Sequence, residues 1–130
     1  MKKLIRNIRW AWYDLYHGTI NLRKWFPIIW KDRNFDNAYI ENVLLHKLRA
    51  TLEFFESKNS VTDWTVPEQA KSLQALRICV SILERRTESF YIQISHNYDM
   101  ETIHRIMKCE ERDMKIFGKL FGKYLGYWWD

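Results

Sequence analysis

The sequence predicts an all-α protein, a bundle of about four helices, from three observations. Apolar residues recur every three or four positions over long segments, which is the spacing of one helix face. No segment shows the period-two alternation or the Asn-Gly turns of a β-hairpin. The chain contains only four glycines and two prolines, which are too few for a turn-rich β-sandwich, whereas its hydrophobic content of 47% suffices for a packed core. At 130 residues we expect a single helical domain, 1–130.

The first predicted helix covers residues 2–16 and is amphipathic. Its apolar residues fill one arc, and Trp10 and Tyr13 lie among the cations of the opposite arc. Gly18 has the usual position of a residue just past a helix C-terminus, and Pro27 disfavours helix at the residue before it. We therefore expect the helix to end near Gly18 and a short separate segment to follow.

Helix two is predicted at residues 37–57, with Asp36 as its N-cap. Residues at the three-to-four spacing of its predicted buried face are Ile40, Val43, Leu44, Leu48, Thr51, Leu52 and Phe55. Leu45 and Phe54 widen this face, so we expect the helix to contact neighbours on more than one side.

Helix three, predicted at residues 66–94, is the long one. Its start, Thr65-Val66-Pro67-Glu68, fits a capping box, and the apolar spacing then runs to about Ile94 without a breaker. About 29 residues measure roughly 43 Å, more than a 130-residue globule needs. We expect either a bend near Glu88-Ser89 or a second copy of the chain over this helix, and hence an oligomer.

Helix four is predicted at residues 100–121, with Asp99 as its N-cap. Its predicted buried face contains Ile103, Ile106, Met107, Met114, Phe117, Leu120 and Phe121. The tail at 124–130 is aromatic almost to its last residue, which disordered termini rarely are. We expect this tail to dock on the body of the protein or on a partner chain.

Positive charge is concentrated in a basic, aromatic-rich N-terminal segment, residues 1–33. It holds 8 Lys and Arg against 2 Asp and Glu, whereas residues 34–130 hold 13 against 14. The segment is either an amphipathic helix with a solvated basic face or a surface that meets an anion. The sequence contains neither the apolar run of a signal peptide nor a membrane span, so we expect a cytosolic protein.

Catalytic and metal-binding residue types form no recognisable motif. HExxH, GxSxG, Walker A and GxGxxG are all missing. Glu101 and His104 have the spacing of a di-iron bundle, but no second such pair accompanies them. Cys79 and Cys109 form no CxxC pair and are expected to be buried thiols. The carboxylates expected on a solvated helix face are Glu110, Glu111 and Asp113. We predict no enzyme activity, no metal and no cofactor.

Residues 30–36 bring an aromatic ring, two cations and two carboxylates to a turn into a helix. In the structural interpretation, the acids cap helix two and pair with arginines. In the functional interpretation, the segment is an anion pocket whose cations hold phosphate while aromatic rings stack on a base. The candidate cations, in order of preference, are Arg33, Lys31 and Arg9, and the candidate stacking rings are Trp30, Tyr39 and Trp10.

Three parts of the chain carry a resemblance: the run WFPIIWKDRNFD at 25–36, the helix with Leu44, Lys47 and Leu48, and the closing WWD at 128–130. They resemble small helical accessory proteins encoded by tailed bacteriophages. The resemblance implies a protein made in the host bacterial cytoplasm, and it assigns no functional residue. Small non-structural phage proteins often counter host defence. One class, the sponges, consists of oligomers that sequester nucleotide immune signals without cutting them.

The leading hypothesis is a non-enzymatic, homo-oligomeric phage protein that sequesters a small anionic nucleotide-derived signal and thereby inhibits antiviral defence. One alternative is a nucleic-acid- or protein-binding accessory factor that uses the same basic face. Another is a membrane-peripheral protein whose first helix lies in the headgroup layer, although the leading hypothesis includes no membrane partner. A third is an assembly protein of the phage with no small ligand.

Overall fold

The computed structural model describes residues 2–30, 37–57, 63, 65–87 and 99–128. Within these ranges the chain forms four α-helices, which are α1 (Lys2–Ile29), α2 (Asn37–Glu56), α3 (Pro67–Thr87) and α4 (Met100–Tyr124). A short 3₁₀ helix, Leu125–Tyr127, follows α4. The described ranges contain no strand, which confirms the all-α prediction.

α1 is much longer than the predicted helix, and the predicted end near Gly18 is wrong. A glycine inside a helix costs only about 1 kcal/mol relative to alanine, so the turns on either side carry the helix through it. Pro27 lies in the last turn, where its missing N–H removes few helical hydrogen bonds. The Trp30 N–H donates to the Phe26 carbonyl over 2.9 Å and closes the turn around the proline.

The chain divides into two compact units, Met1–Tyr39 and Ile40–Asp130. The first contains α1, whose described side chains are almost all exposed. The second has one hydrophobic core, to which α2, α3, α4 and the C-terminal segment contribute. Its largest fully buried side chains all belong to α3 and are Leu76, Cys79 and Leu83. α3 is therefore the central element of the second unit.

The buried faces of α2 and α4 follow the predicted spacing except at Ile40, Phe54 and Met107, which were expected to be buried but are 68%, 44% and 59% exposed. Ile40 lies beside Glu41, and Met107 lies one turn before Glu110. Both carboxylates bind Arg86 near the end of α3. After Leu83, α3 contains no further apolar residue up to its last residue, Thr87. Residues that are buried as predicted include Leu48, Phe55 and Phe117.

α3 begins at Pro67, one residue later than predicted, and residues 88–94 of the predicted helix lie outside the described ranges. The predicted capping box is wrong in register, because Val66 rather than Thr65 precedes the first helical position. The Thr65 hydroxyl and backbone N–H both donate to Asp63 Oδ1, over 2.6 and 2.9 Å. Asp63 therefore closes the turn that leads into α3. The predicted cap of α2, at residue 36, also lies outside the described ranges.

α4 begins where the sequence predicts and ends three residues later than predicted, at Tyr124. Asp99 is the N-cap, and its carboxylate accepts a hydrogen bond from the Thr102 N–H over 2.8 Å. At the other end the aromatic tail docks on the body of the second unit, where Trp128 is only 5% exposed. Its indole Nε1–H donates to the Ser72 carbonyl over 3.1 Å, and its ring lies 5.9 Å from that of Phe121. The last two residues lie outside the described ranges.

Candidate ligand site on the basic face of α1

Among the residues that the structure describes, a cavity of about 570 Å³ is lined by Ile5, Arg6, Arg9, Trp10 and Tyr13, all in α1. Helical spacings of three, four and seven residues from Arg6 bring Arg9, Trp10 and Tyr13 to one face. The volume lies within the roughly 300–1,000 Å³ typical of small-molecule sites. Cations and aromatic rings therefore face the same space.

The aromatic rings of this face form a short series along the helix. Trp10 and Tyr13 meet edge to face, with centroids 6.3 Å apart and planes at 77°. Tyr13 in turn lies 4.1 Å, centroid to centroid, from the His17 ring. Trp10 and Tyr13 are nevertheless 62% and 55% exposed. Their ring surfaces are accessible to a planar ligand.

The arginines of the cavity have no carboxylate partner among the residues that the structure describes. The same holds for the two other cations of α1 with described side chains, Arg23 and Lys24. α1 contains six Lys and Arg against one Asp, whereas residues 40–130 contain 13 of each charge. The whole net charge of +5 therefore belongs to α1.

In the second unit, by contrast, arginines bind carboxylates of neighbouring helices. Arg86 forms two hydrogen bonds to Glu41, of 2.9 and 2.8 Å, and a further one to Glu110. The hydrogen bonds that Arg86 donates to Glu41 raise the pKa of its guanidinium, and the negative charges of Glu41 and Glu110 add to this shift. Further pairs between helices are Arg49–Glu84, Arg77–Glu56 and Arg85–Asp113. These arginines are already neutralised within the chain.

The prediction of a solvated carboxylate face on helix four is wrong for Asp113. This residue is only 6% exposed, and its Oδ2 accepts a hydrogen bond of 2.7 Å from Arg85. Burial is tolerated because the charged partner replaces the lost water. A cavity of about 320 Å³ lies beside this pair, but its cations, Arg77 and Arg85, both have carboxylate partners. It is a weaker candidate for an anion site.

Comparisons with known proteins add no assignment. Nothing among protein-family models, curated proteins or solved structures matches this chain. The candidate site is therefore interpreted from its own chemistry.

The predicted site residues are distributed over three places. Arg33 and Lys31 lie outside the described ranges. Trp30 lies just past α1, is 73% exposed, and has its ring centroid 5.2 Å from that of Phe26. Tyr39 is half-buried in the first turn of α2. Only Arg9 and Trp10 line the cavity of α1.

Two cavity residues, Arg6 and Tyr13, were absent from the predicted set. The spacing of three and four residues to Arg9 and Trp10 was the signal that pointed to them. They share a helix face with the two chosen residues and carry the same chemistry. A search by face, rather than by adjacency at a turn, finds all four.

Other chemistry in the described ranges is sparse. The described residues contain no group of three or more potential metal ligands, and none of their helices is long and apolar enough to cross a bilayer. Cys79 is buried as expected, and burial raises the pKa of its thiol to about 11. Cys109 is exposed, which corrects the expectation that both thiols are buried. Its surroundings in α4 are polar, since Glu110 and Glu111 follow it.

Proposed function

We propose that the chain is a phage accessory protein that binds a small anionic, nucleotide-derived signal on the basic face of α1. Bound ligand is withdrawn from a bacterial defence pathway without being cut. The observation that carries this proposal is the cavity in which two arginines with no described carboxylate partner and two exposed aromatic rings face the same space. The phage context comes from the resemblance at 25–36, in the following helix and in the closing tail.

The chemistry of the four side chains suits a nucleotide. Arg6 and Arg9 present planar guanidinium groups that bind phosphate oxygens in pairs, and neither gives up a carboxylate partner to do so. Trp10 and Tyr13 offer ring surfaces on which a base stacks, an interaction worth about 1–3 kcal/mol per base. Arg33 and Lys31, with Trp30 and Tyr39, form the second set of candidate contacts.

The proposed active form is a homo-oligomer of helical bundles in the host cytoplasm. Sequestration requires a tight complex and no reaction, so neither a catalytic group nor a cofactor is needed. Oligomers with several sites are an effective way to hold a scarce signal, because each added copy of the chain contributes another site.

A binding experiment with a matched control tests the site. A panel of cyclic dinucleotides and linear oligoadenylates is titrated against the wild type, Arg9→Glu and Arg23→Glu by calorimetry. Arg9→Glu places a carboxylate against phosphate and should weaken binding by about 2 kcal/mol, roughly 30-fold. Arg23→Glu makes the same charge change on the same helix but outside the cavity, so its effect should stay below about threefold.

Two outcomes contradict the proposal. In the first, the protein binds no member of the nucleotide panel and also carries no small anion from the cell. The second point is checked by purifying the protein from cells with nucleotide-signalling defences, denaturing it, and analysing the released molecules by mass spectrometry. The other is an equal loss of affinity in Arg9→Glu and Arg23→Glu, which indicates a diffuse electrostatic surface rather than a site.

A nucleic-acid-binding accessory factor is the second candidate, and the spread of cations along α1 favours it, since Arg6, Arg9, Arg23 and Lys24 have no carboxylate partner in the described part of the chain. Its affinity would fall steeply with salt, because each neutralised phosphate releases counterions. A plot of the logarithm of affinity against the logarithm of salt concentration for a 20-base-pair duplex measures this. A steep slope with equal effects of Arg9→Glu and Arg23→Glu favours nucleic acid over the small ligand.

A further inference from the structure

The face of α1 that adjoins the cavity is apolar, and its described side chains are exposed. Its large described side chains are 50% or more exposed and comprise Ile5, Ile8, Trp12, Leu15, Tyr16, Leu22, Phe26, Ile29 and Trp30. At 100° per residue these positions fall within an arc of about 140°. The arc continues for the 28 residues of α1, a length of roughly 42 Å. An apolar surface of this extent needs an occupant.

We propose that the apolar face of α1 lies in the headgroup layer of an anionic lipid bilayer, with the helix parallel to the surface. α1 is not apolar enough to cross a bilayer. Its combination of a broad apolar arc with a strongly basic opposite side is the pattern of interfacial helices. This inference does not rest on the proposed ligand, because most of the apolar face lies outside the cavity, and only Ile5 and Arg9 at the shared edge belong to both.

The charge of α1 favours an anionic bilayer over a second copy of the chain or a nucleic acid as the partner of this apolar face. α1 carries six cations and one Asp, and its described arginines have no carboxylate partner. Pairing two copies through this face would bring two helices of charge +5 together. A nucleic acid would neutralise the cations but leave the apolar arc in water. An anionic bilayer satisfies both features at once.

The edges of the arc carry the side chains that anchor helices at a bilayer surface. Trp12, Trp30 and Tyr16 lie toward one edge, and rings of this kind prefer the headgroup level. Arg9 and Arg23 lie at the same edge by their helical positions, and neither has a carboxylate partner among the described residues. Their long apolar stems can lie along the surface while their charged heads reach the phosphates. The aromatic and the cationic anchors therefore lie along the same edge of the apolar arc.

Trp10 and Trp12 provide a matched pair for the test, since they project about 160° apart on the same helix. Both are highly exposed, at 62% and 71%, so neither substitution removes a core contact. Vesicles of phosphatidylcholine and phosphatidylglycerol at 3:1 are mixed with the full chain and floated on a density gradient. Trp12→Ser should weaken partitioning about tenfold, whereas Trp10→Ser should change it less than twofold. Circular dichroism verifies that helix content is unchanged, and Leu22→Ser repeats the test about two and a half turns beyond the cavity.

Further arms separate the possible sources of binding. Pure phosphatidylcholine vesicles, or added salt, should weaken partitioning of the wild type, because the cations then have no unscreened anion to meet. Failure of the wild type to float with the 3:1 vesicles overturns the proposal. So do equal effects of Trp10→Ser and Trp12→Ser. The proposal is also overturned if the wild type does not bind vesicles and Trp12→Ser loses self-association in light scattering. That result would assign the apolar face to a second copy of the chain.

Trp10→Ser further distinguishes this inference from the proposed ligand site. If both are right, Trp10→Ser loses affinity for the nucleotide panel and keeps its vesicle partitioning. If the ligand site is wrong but the bilayer inference holds, Trp12→Ser still loses partitioning with no nucleotide binding in any variant.

Discussion

Arg86 forms ion pairs with two carboxylates, Glu41 of α2 and Glu110 of α4. Without the guanidinium, the two negative charges would lie in a partly buried space with no cation between them. The Arg86 side chain is 17% exposed, so water replaces it poorly. Arg86→Met should therefore lower the free energy of unfolding by about 2 kcal/mol, measured by urea denaturation. Arg77→Met removes an exposed pair with Glu56 and should cost less than about 1 kcal/mol. Equal losses in the two variants would refute the idea that burial sets the strength of these pairs.

The two thiols should differ in reactivity. Burial raises the pKa of Cys79 to about 11, so almost none of it is thiolate at neutral pH, and no reagent can reach it in the folded chain. Cys109 is exposed. An Ellman titration should find one reactive thiol in the native protein and two after denaturation, with none in native Cys109→Ser. Rapid modification of Cys79 in that variant would show that the core opens.

At the scale of the element, the start of α4 depends on the charge of one cap. The hydrogen bonds that Asp99 accepts from Thr102 lower the pKa of the carboxyl below its ordinary value of 3.8. A lowered pKa means that the cap stabilises the helix at higher pH and is lost as pH falls below 3.8 through the folded value. The Thr102 amide proton should shift in NMR spectra over this range. Asp99→Asn keeps an acceptor and should abolish the shift, whereas a shift that persists in this variant contradicts the assignment.

The C-terminal segment is attached to the core mainly through the side chain of Trp128. Its ring packs against Phe121, and its indole N–H donates to the Ser72 carbonyl. Trp128→Ala should destabilise the second unit by about 3 kcal/mol, because it leaves a cavity and removes the hydrogen bond to the Ser72 carbonyl. Tyr127→Ala, at a position that is 56% exposed, should cost less than about 0.5 kcal/mol. Both values follow from urea unfolding. A Trp128→Ala loss no larger than that of Tyr127→Ala would mean that the tail does not stabilise the core.

At the scale of the whole molecule, self-association remains a prediction. The length of predicted helix three and an aromatic content of 16% both exceed what one small core needs. Light scattering at micromolar concentration should give a mass above the 16.0 kDa of one chain. Trp12→Ser should give the same mass as the wild type, because the apolar face of α1 is assigned to lipid. A single mass of one chain at all concentrations would contradict the prediction.

Regular spacing made most of the second unit predictable. Helix two, the N-cap at Asp99 and the burial of Cys79 follow from local pattern. The aromatic composition of the tail predicted that it docks, but not that its partner is Ser72, 56 residues away in sequence. The length of α1 did not follow from local pattern, because glycine and proline are weak breakers when adjacent turns continue the helix. The burial of Asp113 depends on Arg85, 28 residues away in sequence, and no local pattern indicates it.

The candidate site was predictable by residue type but not by position. Arg9 and Trp10 were recognised as a cation and a ring in a basic segment, and the cavity places them together. The run around Arg33 was the first choice, because a turn into a helix combines charge with backbone N–H groups. Sequence alone does not show which cations are already bound by carboxylates, and of the predicted cations the structure describes this only for Arg9.

The confinement of net charge to α1 has a kinetic consequence. With residues 40–130 neutral, only this helix contributes long-range attraction when the protein diffuses toward an anionic target. The field reaches about 8 Å at physiological ionic strength, so encounters are biased toward collisions in which α1 arrives first. Association rate constants should therefore fall as ionic strength rises, while residence times, governed by short-range contacts, change much less.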